Sequence, residues 1–329
     1  MSEVEVYDVI VSFGGIAAML FGAEIAVSSS IALAYKWRWP EWIAGLVLLA
    51  LGTSLPELFI SVEGAVNGLS EMAVGNLMGS NAFNVGMVLG LCLLISSSKK
   101  FKTDTVGWGA LVPTFIGSVL IIASYDFNQE EHNQGIWVGS LLLLFYILTM
   151  LLSIVYRSKE PVDSSPAISS SEASTMRVSV QAVLGFALLA FGADYFIEGA
   201  MGISNSLGWK EGLAGFLLAA IGTSLPELIT SVIALRKGKG QAVFGNIVGS
   251  NAFNLLLTGG VVGIISQGFD LANKFILFMV VVNLVVNTVL LVPMLCRRVS
   301  ILQNAFLYRF AGLILVVGYF WIMVLAYSM

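Results

Sequence analysis

Residues 44–90 align with residues 214–260 without a gap at a constant offset of 170, and 23 of the 47 paired positions are identical. Gly52-Thr53-Ser54-Leu55-Pro56-Glu57-Leu58 recurs as Gly222-Thr223-Ser224-Leu225-Pro226-Glu227-Leu228. Gly75-Asn76 and Gly79-Ser80-Asn81-Ala82-Phe83-Asn84 recur as Gly245-Asn246 and Gly249-Ser250-Asn251-Ala252-Phe253-Asn254. The same offset carries Phe21-Gly22-Ala23-Glu24 onto Phe191-Gly192-Ala193-Asp194. Such a duplication restricts the chain to two copies of one structural unit. Composition then restricts the unit. Charged residues make up 11% of the 329 and the hydrophobic set 57%, with a mean hydropathy of +0.91. A soluble domain has about a quarter of its residues charged, and so few charges cannot cover a water-exposed surface. A soluble globular enzyme is excluded, and the chain reads as a polytopic membrane protein.

Apolar stretches separated by short polar breaks fall at 9–34, 42–66, 72–97, 107–124, 135–156, 178–205, 212–235, 241–267, 275–296 and 302–327. A bilayer-spanning helix needs roughly 20 such residues, so the expected count is ten spans, with both termini on one side. The opposite side then carries Lys36 and Arg38; Lys99, Lys100 and Lys102; Arg157, Lys159 and Arg177; Arg236, Lys237 and Lys239; Arg297 and Arg298. Those 13 basic residues face only two, Lys210 and Lys274, on the side of the termini, with Arg309 inside the last span. Basic residues concentrate in cytoplasmic loops, so both termini are expected to face outside. The acidic start of the chain marks the first stretch as a retained span, because a secretory signal peptide starts basic. No basic run or aromatic-basic patch suits a nucleic-acid partner. Cys92 and Cys296 lie within or at the end of apolar stretches and form neither a metal spacing nor a disulfide framework.

The stretch 158–176, with Pro161, Pro166 and a serine-rich middle, reads as a cytoplasmic linker between units 1–157 and 177–329. Five helices per unit is an odd number, so the second unit must enter the membrane from the opposite side. The expected fold is all-α: ten transmembrane helices as two inverted five-helix repeats with broken helices at the centre. Inverted repeats with interrupted helices at matching positions are the plan of many secondary transporters, with the binding site at the repeat interface near the midplane.

Pro56 and Pro226 supply the interruption. Proline lacks an N–H and crowds the preceding turn, so a helix is expected to break or kink just before each, freeing carbonyls around Ala50 to Gly52 and around Ala220. Thr53 and Glu57 are four apart and Ser54 and Glu57 three apart, so both hydroxyls share a helix face with the carboxylate. Thr223, Ser224 and Glu227 repeat the arrangement. On the next span of each half, Ser80 and Asn84 are four apart, as are Ser250 and Asn254. Carboxylates, hydroxyls, amide oxygens and backbone carbonyls, with no thiolate or imidazole, form an all-oxygen set that suits hard cations such as Ca²⁺ or Na⁺. An ionisable residue deep in a span is costly, which makes Glu57 and Glu227 the leading functional candidates. The competing structural reading has each glutamate protonated and merely bonding helices together; the same ligand set in both copies argues against it. Two ionised glutamates neutralise one Ca²⁺, three Na⁺ would leave the site at +1, and two protons would also balance it. The charge count leaves Na⁺ and H⁺ both open.

Other polar residues carry less. Glu24 and Asp194 match between copies and serve either an access path or helix packing. Glu63 aligns with Ile233 and reads as a solvated helix end, while Glu198 aligns with Ser28. His132 lies in an acidic outward loop beside Glu130 and Glu131 and is given no role. Tyr35, Trp37, Trp39 and Trp42 read as an interfacial belt.

The pairs GTSLPEL with GNLMGSNAFN and GTSLPEL with GNIVGSNAFN resemble the two alpha-repeats of the calcium/cation antiporter superfamily, and most closely its prokaryotic sodium/calcium exchanger branch. The resemblance covers nearly the whole chain in helix count, inversion and motif placement. It implies central sites formed by the second, third, seventh and eighth spans, with Glu57 and Glu227 coordinating Ca²⁺ alongside Thr53, Thr223 and the carbonyls of Ala50 and Ala220. It further implies that Ser54, Ser80, Ser224 and Ser250 line flanking Na⁺ sites and that Asn84 and Asn254 line the centre. The first and sixth spans would slide across this core to alternate access. Potassium-dependent exchangers carry an acid at the position of Asn254, so the resemblance argues against K⁺ co-transport. The proton-coupled plant and fungal branch carries a GNxxE-type motif in place of GTSLPE, which favours Na⁺. Some prokaryotic members have an aspartate at one of the two central positions where this chain has asparagine at both, so the central charge stays at two carboxylates. Eukaryotic members insert a large calcium-sensing domain between the halves, and residues 158–176 are too few to hold one.

The expected function is secondary-active antiport of Na⁺ for Ca²⁺ by alternating access, electrogenic, in a prokaryotic inner cell membrane. Ca²⁺ and Na⁺ are its substrates, the lipid bilayer its surroundings, and no cofactor is expected beyond the transported ions. A proton-coupled antiporter for Ca²⁺ or another divalent cation is the alternative. An intramembrane enzyme using Glu57 and Glu227 as an acid–base pair would not require two symmetric ligand sets, and a channel would not require deep ligands from both copies.

Overall fold

The computed structural model describes residues 6–96, 108–124, 134–155, 174–206, 211–295 and 305–328. His132 with its neighbours Glu130 and Glu131, Cys296, most of the linker, and the basic residues Lys99, Lys100, Lys102, Arg157, Lys159, Lys210, Arg297 and Arg298 lie outside the described residues.

Regular structure among the described residues is helical: α1 Val6–Lys36, α2 Glu41–Thr53, α3 Leu55–Val66, α4 Ser70–Ile95, α5 Trp108–Ala123, α6 Gln134–Val155, α7 Thr175–Ser206, α8 Glu211–Arg236, α9 Gly240–Ile265, α10 Lys274–Leu295 and α11 Ala305–Tyr327. Among the described residues, seven of these are long and apolar enough to cross a membrane, and α2 with α3, bent by 47°, makes an eighth.

Polar side chains lie inside and large apolar ones outside. Ser54, Glu57, Ser61, Asn81 and Ser224 are fully buried, whereas Phe13, Phe21, Phe59, Val183, Phe191 and Trp321 are largely exposed. Lipid imposes this inversion: it gives apolar side chains no reason to hide, while polar groups must find partners within the protein. The chain is an integral membrane protein. Its centre is held by α4 and α9, whose membrane windows are 72% and 83% buried, against 33% and 28% for α1 and α7.

α1 and α7 run antiparallel in flush contact, Gly15 lying against Phe196 and Gly192, Gly22 against Leu189 and Gly185, and Gly199 against Asp8 and Ser12. A Cβ at Gly22 or Gly185 would meet the facing backbone, so small residues set the close approach, as they do between membrane helices generally. α2 and α9 run parallel, with Trp42 against Gly245, and Leu46 and Ala50 against Gly249. Trp42 is consequently 3% exposed and belongs to this contact. It leaves the expected belt because glycine at 245 makes room for the α2 backbone; Tyr35 and Trp37 stay exposed.

The two copies differ at their prolines. Before Pro56 the chain breaks at Ser54, with φ −93° and ψ 7°. In the second copy α8 continues past Pro226 as one helix, so the expected matching interruption is present in the first copy only. In the turn that follows Pro226, Thr230 Oγ1 donates to the Pro226 carbonyl at 2.7 Å, with the Glu227 carbonyl 3.1 Å away, a bond that Ile60 at the matching position cannot make. Helix widening is a feature the sequence did not announce. Ala44–Leu49 in α2, Asn84–Leu89 in α4 and Phe253–Thr258 in α9 are π-helical. The last two overlap under the 170-residue offset, and each contains the final asparagine of a GSNAFN motif. Such turns occur frequently at functional sites.

Candidate functional site

Each motif glutamate meets a serine of the other copy. Ser54 Oγ, at the break between α2 and α3, donates to Glu227 Oε1 on α8 at 2.8 Å. Reciprocally, Ser224 Oγ on α8 lies 3.3 Å from Glu57 Oε1 on α3. Ser80 of α4 joins the second pair, its Oγ being 3.0 Å from Ser224 Oγ and 3.5 Å from Glu57 Oε1. Glu57 and Glu227 are 0% and 1% exposed. Their described partners are hydroxyls; the described ion pairs, Lys237 with Glu24 and Lys239 with Glu41, lie elsewhere.

Among the described residues, Oε2 of each glutamate is buried without a hydrogen-bond partner, and so are Oδ1 of Asn84 and Oδ1 of Asn254. An uncompensated buried carboxylate costs on the order of several kcal/mol, so this cluster calls for positive charge from outside the chain. The atoms on offer are all oxygen, which fits a hard cation. Thr53 Oγ1 donates to the Leu49 carbonyl at 3.0 Å, which leaves its oxygen free to act as an acceptor.

All ten side chains expected to bind cations, Thr53, Ser54, Glu57, Ser80, Asn84, Thr223, Ser224, Glu227, Ser250 and Asn254, are buried. Hydrogen bonds draw Ser54, Glu57, Ser80, Ser224 and Glu227 together directly. Ala50 is buried too, but its carbonyl accepts the Ser54 N–H at 3.0 Å; the carbonyl that loses its helical partner to Pro56 is that of Gly52, four residues back. Ala220 lies in α8, with its side chain outside the described residues. Glu24, Asp194 and Glu63 are exposed, and Glu24 pairs with Lys237, so the matched acids Glu24 and Asp194 do not serve as buried packing. Glu198 accepts a hydrogen bond from the Tyr7 hydroxyl at 3.3 Å.

Sequence reasoning passed over several amides that are buried or, at Asn76, partly buried. Asn76 Nδ2 donates to Ser61 Oγ at 2.9 Å and to the Glu57 carbonyl at 3.2 Å, tying α4 to the helix that bears the glutamate. Asn246 Nδ2 and Ser231 Oγ repeat the first of these bonds at 3.1 Å. All four residues are identical between copies, so the signal was available. Asn81 and Asn251 contact Asn283 and Asn287 of α10, and that pair contacts Ser118 of α5.

A sequence profile of the family described as "Sodium/calcium exchanger protein" matches residues 7–155 and 178–328. The putative antiporter CaxA of Alkalimonas amylolytica is 31% identical over 264 residues, covering 77% of this chain and 79% of that protein. The sodium/calcium exchanger MaX1 of Methanosarcina acetivorans is 26% identical over 311 residues, covering 84% and 88% respectively. The fold is like that of the solved sodium-calcium exchanger NCX_Mj soaked with zero Na⁺ and Ca²⁺. The TM-score is 0.73, with 22% identity, over 97% of this chain and 98% of the other.

Proposed function

The chain belongs to the sodium/calcium exchanger family, and from that membership we propose that it exchanges Na⁺ for Ca²⁺ by alternating access, electrogenically. Membership makes it a cation antiporter, not an enzyme. The finer reading is carried by the reciprocal serine–glutamate bonds, which tie each buried carboxylate to the opposite copy while its second oxygen has no partner among the described residues. Two negative charges balance one Ca²⁺ and are exceeded by three Na⁺, so a cycle of that stoichiometry moves net charge. In this reading Glu57 and Glu227 hold Ca²⁺ with Thr53, Thr223 and the carbonyls of Ala50 and Ala220. Ser54, Ser80, Ser224 and Ser250 line the Na⁺ positions, and Asn84 and Asn254 line the centre.

The proposed architecture is ten spans in two inverted five-helix repeats, 1–157 and 177–329, joined by 158–176. Support comes from α1 and α7, which are matched by the 170-residue offset and run antiparallel, as inversion requires. The basic-residue asymmetry supports both termini outside a prokaryotic cell membrane. H⁺ in place of Na⁺ is the alternative, drawing on the same Oε2 atoms, which a proton would satisfy as well as a cation does.

Radiolabelled Ca²⁺ uptake into Na⁺-loaded proteoliposomes, with equal pH on both sides, tests the proposal. Uptake is expected to require the outward Na⁺ gradient, to quicken with an inside-positive potential, and to fall to background in Glu57→Gln and Glu227→Gln. Uptake driven by a pH gradient alone would transfer the reading to H⁺. Near-native transport by either variant would overturn the site.

A further inference from the structure

Asn84 and Asn254 are matched by the repeat but not by their surroundings. Asn84 Nδ2 donates to Asn251 Oδ1 at 3.2 Å. Asn251 Nδ2 donates in turn to Asn287 Oδ1 at 3.3 Å, and Asn287 Nδ2 to Ser118 Oγ at 3.0 Å. The chain ends on backbone, because Ser118 Oγ donates to the Thr114 carbonyl at 3.1 Å. Every member is buried, from 0% exposed at Ser118 and Asn251 to 2% at Asn287.

This chain has a direction. A hydroxyl carries one hydrogen, and that of Ser118 is committed to a carbonyl, so its oxygen can only accept. Asn287 must therefore present its NH₂ to Ser118 and its oxygen to Asn251. Asn251 must then present its NH₂ to Asn287 and its oxygen to Asn84, and Asn84 its NH₂ to Asn251. The amide oxygen of Asn84 is left at the far end, buried and without a hydrogen-bond partner among the described residues. Asn283 reinforces the order, giving Nδ2 to Ser118 at 3.0 Å and accepting Asn287 Nδ2 at 3.3 Å.

The other half reaches the same anchor but stops one link short: Asn81, the match of Asn251, donates Nδ2 to Asn283 Oδ1 at 2.8 Å, and Asn283 in turn to Ser118, with no described bond from Asn254. Under the 170-residue offset Asn283 and Asn287 fall on Pro113 and Gly117, which have no amide side chain to offer. Among the described residues the mirror-image bond from Asn254 to Asn81 is not made: Nδ2 and Oδ1 of Asn254 and Oδ1 of Asn81 are all unpartnered. We propose that Ser118, Asn287 and Asn251 form a positioning relay that fixes the Asn84 amide with its oxygen toward the cations, making Asn84 a committed oxygen ligand and leaving Asn254 free to turn. The proposal rests on the reading of Asn84 as lining the cation site. Without the anchor the amide chain can reverse, and a reversed Asn84 would offer NH₂ to a cation.

The test is a set of double-mutant cycles on full-length protein in proteoliposomes, read as KM and Vmax for Ca²⁺ and as direct binding of radiolabelled Ca²⁺. Ser118→Ala is expected to raise KM and the binding constant about fivefold to tenfold, the scale of one lost buried hydrogen bond, with Vmax little changed. Ser118→Thr, which keeps the hydroxyl, is expected to return both toward native. Added to Asn84→Ala, Ser118→Ala should shift Ca²⁺ binding no further; added to Asn254→Ala, it should shift it in full. Asn287→Ala cuts the relay one link nearer and is expected to show the same pattern, so the result does not hang on one substitution folding. Equal additivity with both asparagine variants, or a loss of thermal stability with native KM, would overturn the relay. Failure of the underlying site reading looks different: Asn84→Ala and Glu57→Gln would both leave Ca²⁺ binding native.

Discussion

Ser54 and Ser224 occupy matching positions, yet their hydroxyls carry unequal loads. Among the described residues Ser54 Oγ bonds to Glu227, whereas Ser224 Oγ lies within bonding distance of both Glu57 and Ser80. A hydrogen bond to a charged group is worth about 1.5–3 kcal/mol, so either alanine variant should weaken apparent cation affinity by roughly tenfold or more. Ser224→Ala should be the more severe, because Ser80 loses a neighbour as well. Side-by-side titration of Ca²⁺ uptake against Ca²⁺ and Na⁺ concentration ranks the two, and equal effects would count against the shared role of Ser224. The hydroxyls and carboxylates here were legible in the sequence because each occurs twice at one offset. That comparison also hid what occurs once. Asn283 and Asn287 have no amide at their matching positions, so a search for repeated residues passes over them. Two asparagines four apart in an otherwise apolar span were still a visible sign of buried polar work. Their partners, Ser118 on α5 and Asn251 on α9, come from other elements and could be identified only in three dimensions.

At the scale of elements, the contact of α1 with α7 depends on an absence of side chains. Gly22→Val or Gly185→Val would drive a Cβ into the facing backbone, and overpacking of this kind costs about 1–3 kcal/mol. A lower unfolding temperature in detergent and slower Ca²⁺ uptake are expected. Gly14→Ala is the control: its Cβ would meet nothing within 4 Å, so stability should hold or rise. Helix positions were legible from apolar runs to within a few residues. Two things at this scale were not. Trp42 sits beside exposed aromatics in sequence but is drawn inward by a glycine two hundred residues away. The proline rule applies equally to Pro56 and Pro226, yet only the first breaks its helix, and the motif, identical in both copies, carries no sign of that difference.

For the whole molecule, the proposed inversion and the distribution of basic residues make one joint statement about sidedness. A reporter fused after Met329, active only outside the cell membrane, is expected to be active, and a cysteine substituted for Lys237 is expected to react only with reagents that reach the cytoplasm. A cytoplasmic C-terminus would mean that the count of spans is off by one. Lys237 and Lys239 of the α8–α9 connection pair with Glu24 of α1 and Glu41 of α2, so this connection is held to the other half of the chain at two points.

The crossed serine–glutamate bonds also bear on how such a chain can vary over time. Outside the motifs the copies have drifted, as at Ile60 and Thr230 or at Gly117 and Asn287. At the crossing they have not, for neither copy supplies the hydroxyl that its own glutamate accepts from the break or its equivalent. A change at Ser54 is therefore registered at Glu227, and a change at Ser224 at Glu57. Duplication gave the chain two copies of the unit, and the crossing removed the freedom that a spare copy usually confers.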